Sequence, residues 1–76
     1  MNPQLIGKMI RFHRRKSGLS QAELGHLAQV GKTAVYDIEK GKITIRLLTL
    51  LKLLKVLNIT MSFRSPLMEL FENEKS

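Results

Sequence analysis

Apolar residues recur along this chain with a helical period, and each recurrence is bounded by a residue that starts or stops a helix. Leu5, Ile6, Met9, Ile10 and His13 follow one face, while Lys8, Arg11, Arg14, Arg15 and Lys16 lie mostly elsewhere. Asn2 is placed to cap this first helix. Pro3 fits the N1 position, where its missing N–H costs nothing. Ser17-Gly18 ends the helix, and the basic residues crowded into its last turn complement the helix dipole.

A capping box follows in Ser20-x-x-Glu23, with Leu19 and Leu24 as its hydrophobic staple. It predicts a short helix over about 21–28, with Leu24, Leu27 and Ala28 facing in. Gln29-Val30-Gly31 breaks that helix after two turns. A third helix is expected over about 32–40, with Ala34, Val35 and Ile38 inward and Gly41 as its stop. Two short helices on a tight turn, with a small Ala28 where they cross, have the outline of a helix-turn-helix. An ordinary helical hairpin shares that outline. What separates the two here is an outer face carrying Lys32, Thr33, Tyr36 and Lys40.

Thr44 reads as the N-cap of a fourth helix over about 45–57, whose leucines occupy nearly the whole circumference. A helix that is apolar all round has to be buried all round, and so short a chain has too little material to cover it. One side is therefore expected in the core, and Leu48, Leu51 and Leu54 on a homodimer seam. Residues 59–64 then switch to a period of two, Ile59-Thr60-Met61-Ser62-Phe63-Arg64, which predicts a short strand. A lone strand leaves its edges unpaired. The same strand of a second copy is the simplest partner, placing Ile59, Met61 and Phe63 at the dimer contact. Ser65-Pro66 is expected to start a last short helix with an apolar stripe of Leu67, Met68, Leu70 and Phe71, fraying over Glu72–Ser76. That stripe can fold back, strengthen a dimer or dock on another protein. The expected division is thus 1–57 as the helical domain, 58–64 as the dimerising strand and 65–76 as the tail.

Composition narrows the function. The net charge of +7 is uneven: residues 1–64 hold twelve Lys/Arg against three Asp/Glu (+9), and residues 65–76 hold one lysine against three glutamates (−2). A basic body favours a polyanionic partner, nucleic acid before membrane. There is no cysteine, and His13 and His26 are isolated, so no metal and no cofactor is expected. No apolar run approaches the ~20 residues of a membrane span, and cytoplasmic placement is the expectation. No acid/base pair, activated nucleophile or phosphate-cradling glycine loop argues for an enzyme.

The spacing becomes specific across 19–42. Ser20-Gln21-x-Glu23-Leu24-x-x-x-Ala28, then Val30, Val35, Ile38-Glu39 and Gly41-Lys42, resembles the Cro/CI-type (XRE-type) repressor helix-turn-helix. Thr44-x-Arg46-Leu47-x-Thr49-Leu50-Leu51, followed by the strand pattern, resembles its HipB-like branch, antitoxins and autorepressors paired with HipA-like Ser/Thr kinase toxins. The resemblance implies an all-α, five-helix-type, lambda-repressor-like DNA-binding domain whose short C-terminal β-strand pairs across a homodimer on a palindromic operator of double-stranded DNA. It implies a phosphate contact for Gln21, base-edge contacts for Lys32 and Thr33, and a base or backbone contact for Tyr36. Lys40, Lys42 and Arg46 would meet phosphates. Glu39 is expected to be structural, tied to Arg11 or Arg14. The chain departs from the pattern at Gln29, where the family often has glycine, and at Gly31, where it often has a hydroxyl. Two other readings stand beside the antitoxin: a stand-alone phage- or plasmid-type repressor, and a protein-interaction adaptor.

Overall fold

A computed structural model describes residues 2–75. It contains five helices: α1 (Pro3–Lys16), α2 (Gln21–Ala28), α3 (Lys32–Glu39), α4 (Leu47–Val56) and α5 (Met68–Glu74). The first four make the body. Ile10 of α1, Leu24 and Ala28 of α2, Val35 and Ile38 of α3, and Leu50, Leu53, Leu54 and Leu57 of α4 and its end form one buried core. α1 lies against α3, α2 against α3 and α4. The α1–α3 contact is made through Gly7, which the periodicity of α1 did not single out. A Cβ on Gly7 would stand 2.8 Å from the Glu39 carbonyl oxygen and closer still to that of Ile38. Only glycine lets the two backbones approach so closely.

The expected starts of α1 and α2 are present. Asn2 caps α1, its Oδ1 accepting from Leu5 N at 2.8 Å. In α2 the Ser20 Oγ accepts from Glu23 N at 3.0 Å and the Glu23 carboxylate accepts from Ser20 N at 2.8 Å. The stops share one geometry. After each of α1 to α4 the chain turns left-handed at a single residue: Gly18 (φ 75°), Gln29 (φ 57°), Gly41 (φ 83°) and Asn58 (φ 58°). The next N–H then closes back five residues: Leu19 to Arg14, Val30 to Gly25, Lys42 to Asp37 and Ile59 to Leu54. These are Schellman stops, which satisfy carbonyls that a helix end leaves open. They end each of these four helices within two residues of its last turn.

Several expectations are corrected. Leu27 does not face in; it is 57% exposed, because the two-turn helix buries only Leu24, Gly25 and Ala28. α4 begins at Leu47 with Arg46 as its N-cap, not at Thr44. The intervening chain instead tucks Ile45 against the core. Leu54 belongs to the core at 4% exposure and offers little to a seam, whereas Leu47, Leu48 and Leu51 on the same helix are exposed. Among the described residues there is no strand; 59–65 run without regular structure. A strand needs a ladder partner, and a single copy provides none. α5 starts after Leu67 rather than at Ser65-Pro66, the Ser65 Oγ accepting from Leu67 N. It stays helical through Glu74 instead of fraying at Glu72. Ser76, the end of the expected frayed segment, lies outside the described residues.

Candidate nucleic-acid interface

α3 presents two faces that differ in kind. Val35 and Ile38 are fully buried, while Lys32, Thr33 and Tyr36 are exposed on the other side. Lys40 follows at the helix end, its Nζ 5.6 Å from the centre of the Tyr36 ring, so the phenol carries a cation on its face. Gly31 caps the start without a side-chain hydrogen bond. No side chain therefore occupies the first amides of α3, at the positive end of its dipole, a polarity that favours an anion.

One polar knot ties α3 to α1 and α2. Arg14 Nε donates to Glu39 Oε2 at 2.6 Å and its Nη2 to Oε1 at 3.0 Å, a bidentate pair, and its Nη1 donates to the Leu19 carbonyl at 2.9 Å. Gln21 Nε2 donates to the same Glu39 Oε1 at 3.1 Å. The side chains of Arg14 and Glu39 are only 12% and 3% exposed. Glu39 at the end of α3 thus joins α1 to the first residue of α2, and Arg14 adds the loop before α2 through the Leu19 carbonyl. The hydrogen bond and charge of Glu39 push the Arg14 guanidinium further above its already high range. Of the two arginines expected as candidates, Arg14 makes the tie and Arg11 stays exposed. The Ser20 N–H and hydroxyl hold the exposed Glu23 carboxyl below the usual carboxylate range.

Lys32, Thr33 and Tyr36 are exposed on α3, and Lys40 adjoins them as its C-cap residue. Gln21 is half-buried with its amide committed to Glu39, a link the spacing alone did not reveal. Lys42 leans on Asp37 at 3.4 Å, and Arg46 borders the same depression as that pair, along with Ala34 and Thr49. Gln21, Lys42 and Arg46 thus lie outside the span of α3, the first in α2 and the other two between α3 and α4. His13 is half-buried, its Nδ1 2.7 Å from the Met9 carbonyl. No group of three metal-ligating side chains occurs among the described residues, and no helix among them is long and apolar enough to cross a membrane.

A buried-backed helix with a polar, basic outer face, joined to a short helix by a left-handed turn, has the form of the second helix of a helix-turn-helix. Comparison with known proteins agrees. The Helix-turn-helix family profile (HTH_3) matches residues 10–63. A protein of Sinorhizobium fredii described as "Uncharacterized HTH-type transcriptional regulator y4mF" is 33% identical over 64 residues, covering 84% of each chain. Two solved structures superpose with a TM-score of 0.78 at 20% identity, each covering 87% of this chain and 93% of the other. One is described as "MDT Protein" and the other is a chain of the HipA-HipB-O2-O3 complex. The chain belongs to the XRE-type Helix-turn-helix family and is a DNA-binding transcriptional regulator.

Proposed function

We propose that this chain is the DNA-binding antitoxin and autorepressor of a HipA/HipB-type module, acting as a homodimer on a palindromic operator. The observation that carries the DNA half is the outer face of α3: Lys32, Thr33 and Tyr36 are free while Val35 and Ile38 anchor the helix from behind. Lysine can donate to guanine O6 and N7, and a threonine methyl can meet that of thymine. Lys40, Lys42 and Arg46 would neutralise phosphates and release counterions. Gln21 reaches a phosphate only with its second amide hydrogen, its first being held by Glu39.

Residues 1–57 serve as the DNA-binding unit. The exposed Leu48 and Leu51 of α4, with Met61 and Phe63 beyond it, support a second copy as partner. Paired across a two-fold axis, segments 58–64 would form the strand that one copy lacks, setting two α3 helices about 34–36 Å apart. The shared fold with a chain of the HipA-HipB-O2-O3 complex supports a HipA-like Ser/Thr kinase as the further partner.

Gel shifts on DNA upstream of the protein's own gene test the first part. Lys32→Ala with Thr33→Ala should weaken operator binding about 10- to 100-fold and random-sequence binding about threefold or less. Equal affinity for operator and random DNA at moderate salt overturns operator recognition. Co-purification with the product of an adjacent kinase-like gene tests the second part. With no such gene or complex, the stand-alone repressor is the correct reading.

A further inference from the structure

The outer face of α1 is basic, has an aromatic ring among its cations, and is unused by the fold. Lys8, Arg11, Phe12, Arg15 and Lys16 line one open depression of ≈ 530 Å³. Compensation of the helix dipole accounts for cations in the last turn. It does not account for Lys8 and Arg11 further back, nor for Phe12 at 57% exposure beneath the Lys16 ammonium, 5.7 Å from its ring centre. None of these four cations has an acidic partner among the described residues.

The acids of the chain are nearly all committed. Glu23 closes the capping box, Asp37 holds Lys42, Glu39 holds Arg14 and Glu72 holds Lys75. Glu69 and Glu74 remain, both on α5, which buries no residue and exposes Leu67, Leu70 and Phe71 beside them. An acidic helix with a bare apolar stripe and a basic helix face set around a bare phenylalanine are complementary. Their lengths agree as well: seven helical residues span about 10 Å and the run from Lys8 to Lys16 about 12 Å. The chain from Asn58 to Leu67 can stretch about 30 Å. In this molecule, 41 Å long and about half as wide, it leaves α5 and the α1 face uncovered at the same time.

We propose that α5 of one copy docks on the outer face of α1 of a second copy, its apolar stripe over Phe12 and its glutamates among Lys8, Arg11 and Arg15. The contact depends neither on operator DNA nor on strand pairing.

The chain has no cysteine, so single cysteines report the contact cleanly. A Lys16→Cys copy and a size-tagged Asn73→Cys copy, nuclease-treated and mixed, are joined by a short bismaleimide, with circular dichroism checking that each variant is folded. The expected result is a covalent heterodimer whose yield falls at least fivefold when Glu69→Lys and Glu74→Lys are added to the tagged copy. Adding Lys8→Glu and Arg11→Glu to the other copy should restore it, and raising salt from about 0.05 to about 0.5 M should lower it. A yield indifferent to the glutamate reversals overturns the proposal. So does joining only within a single chain that carries both cysteines. The proposal also falls if the α1 reversals leave the yield unchanged and weaken operator binding, which would make this face a DNA contact.

Discussion

The body up to Asn58 and the chain after it follow opposite rules. Between Asn2 and Asn58 each helix has a defined stop, nine apolar residues are buried in one core, and no buried side-chain nitrogen or oxygen among the described residues lacks a partner. From Thr60 to Lys75 no residue is buried, yet Met61, Phe63, Leu67, Leu70 and Phe71 are large and apolar. Leaving apolar area in water forgoes about 25 cal/mol for each Å²; the body exposes apolar residues too, among them Phe12, Leu27, Leu47 and Leu48, but only the body offsets that loss with a buried core. The body up to Asn58 has a core of its own, and the tail has none.

The sharpest way to break that contrast is to empty the core. Leu53 is fully buried at the centre of α4, and Leu53→Ala should cost about 3–4 kcal/mol in chemical denaturation. That is a large share of the roughly 5–15 kcal/mol holding a small domain folded. Phe71→Ala, a larger truncation in the tail, should change stability by less than about 0.5 kcal/mol. Comparable losses at the two sites would mean that α5 packs on the body.

Next comes the polar knot. Arg14→Ala leaves the Glu39 carboxylate nearly buried with only Gln21 as donor. A buried pair broken from one side costs about 3–5 kcal/mol. The slight exposure of Arg14 admits some solvent, which places the expected loss at about 2–3 kcal/mol. Because the same knot ties α3 to α1 and α2, operator affinity measured where the variant is still folded should fall too, while random-sequence affinity holds. Equal losses on both DNAs would show that the knot stabilises without orienting.

The sequence disclosed the parts of this arrangement that are local. Most caps and stops and the inward face of α3 follow from residue type and spacing within a few positions, so Asn2, Ser20, Glu23, Val35 and Ile38 were readable in advance, whereas Leu5, on the expected apolar face of α1, is 53% exposed. The misreadings depended on distant chain. Leu27 has a helical-core spacing, but α2 is too short to bury it. Thr44 has the chemistry of a cap, but Ile45 is drawn into the core and delays α4 to Leu47. Gly7 looks like a blemish in an amphipathic helix until α3 is laid across it. A glycine in the interior of an otherwise good helix was the available signal. Of the interface, Lys32, Thr33, Tyr36 and Lys40 were placed together by periodicity. The attachment of Gln21 to Glu39, eighteen residues away, could not be seen without the fold.

A smaller effect of the opposite sign is expected at Gln29. It is the stop of α2 and sits at φ 57°, where α1 and α3 use Gly18 and Gly41. A side chain in this left-handed region costs roughly 1–2 kcal/mol, part of which glycine returns through the greater freedom it gives the unfolded chain. Gln29→Gly should therefore stabilise the body by about 0.5–1 kcal/mol. Its thermal midpoint should rise by a few degrees with operator affinity unchanged. A loss of stability would show that the Gln29 side chain makes a contact worth more than its strain.

The smallest expected change follows from removing the tail altogether. α5 has no buried residue, and Leu67 at its N-cap makes no side-chain cap hydrogen bond. Deleting residues 65–76 should therefore move the thermal midpoint by no more than about 3 °C, measured at low protein concentration and high salt so that contacts between copies are absent. The same deletion removes three of the six acidic residues and one of the thirteen basic ones, so the net charge rises by two. Binding to random-sequence DNA should strengthen modestly at low salt, with the difference vanishing as ions screen it. A midpoint that drops by 10 °C under these conditions would mean that the tail is part of the fold, and the division between a body with its own core and a tail without one would fail.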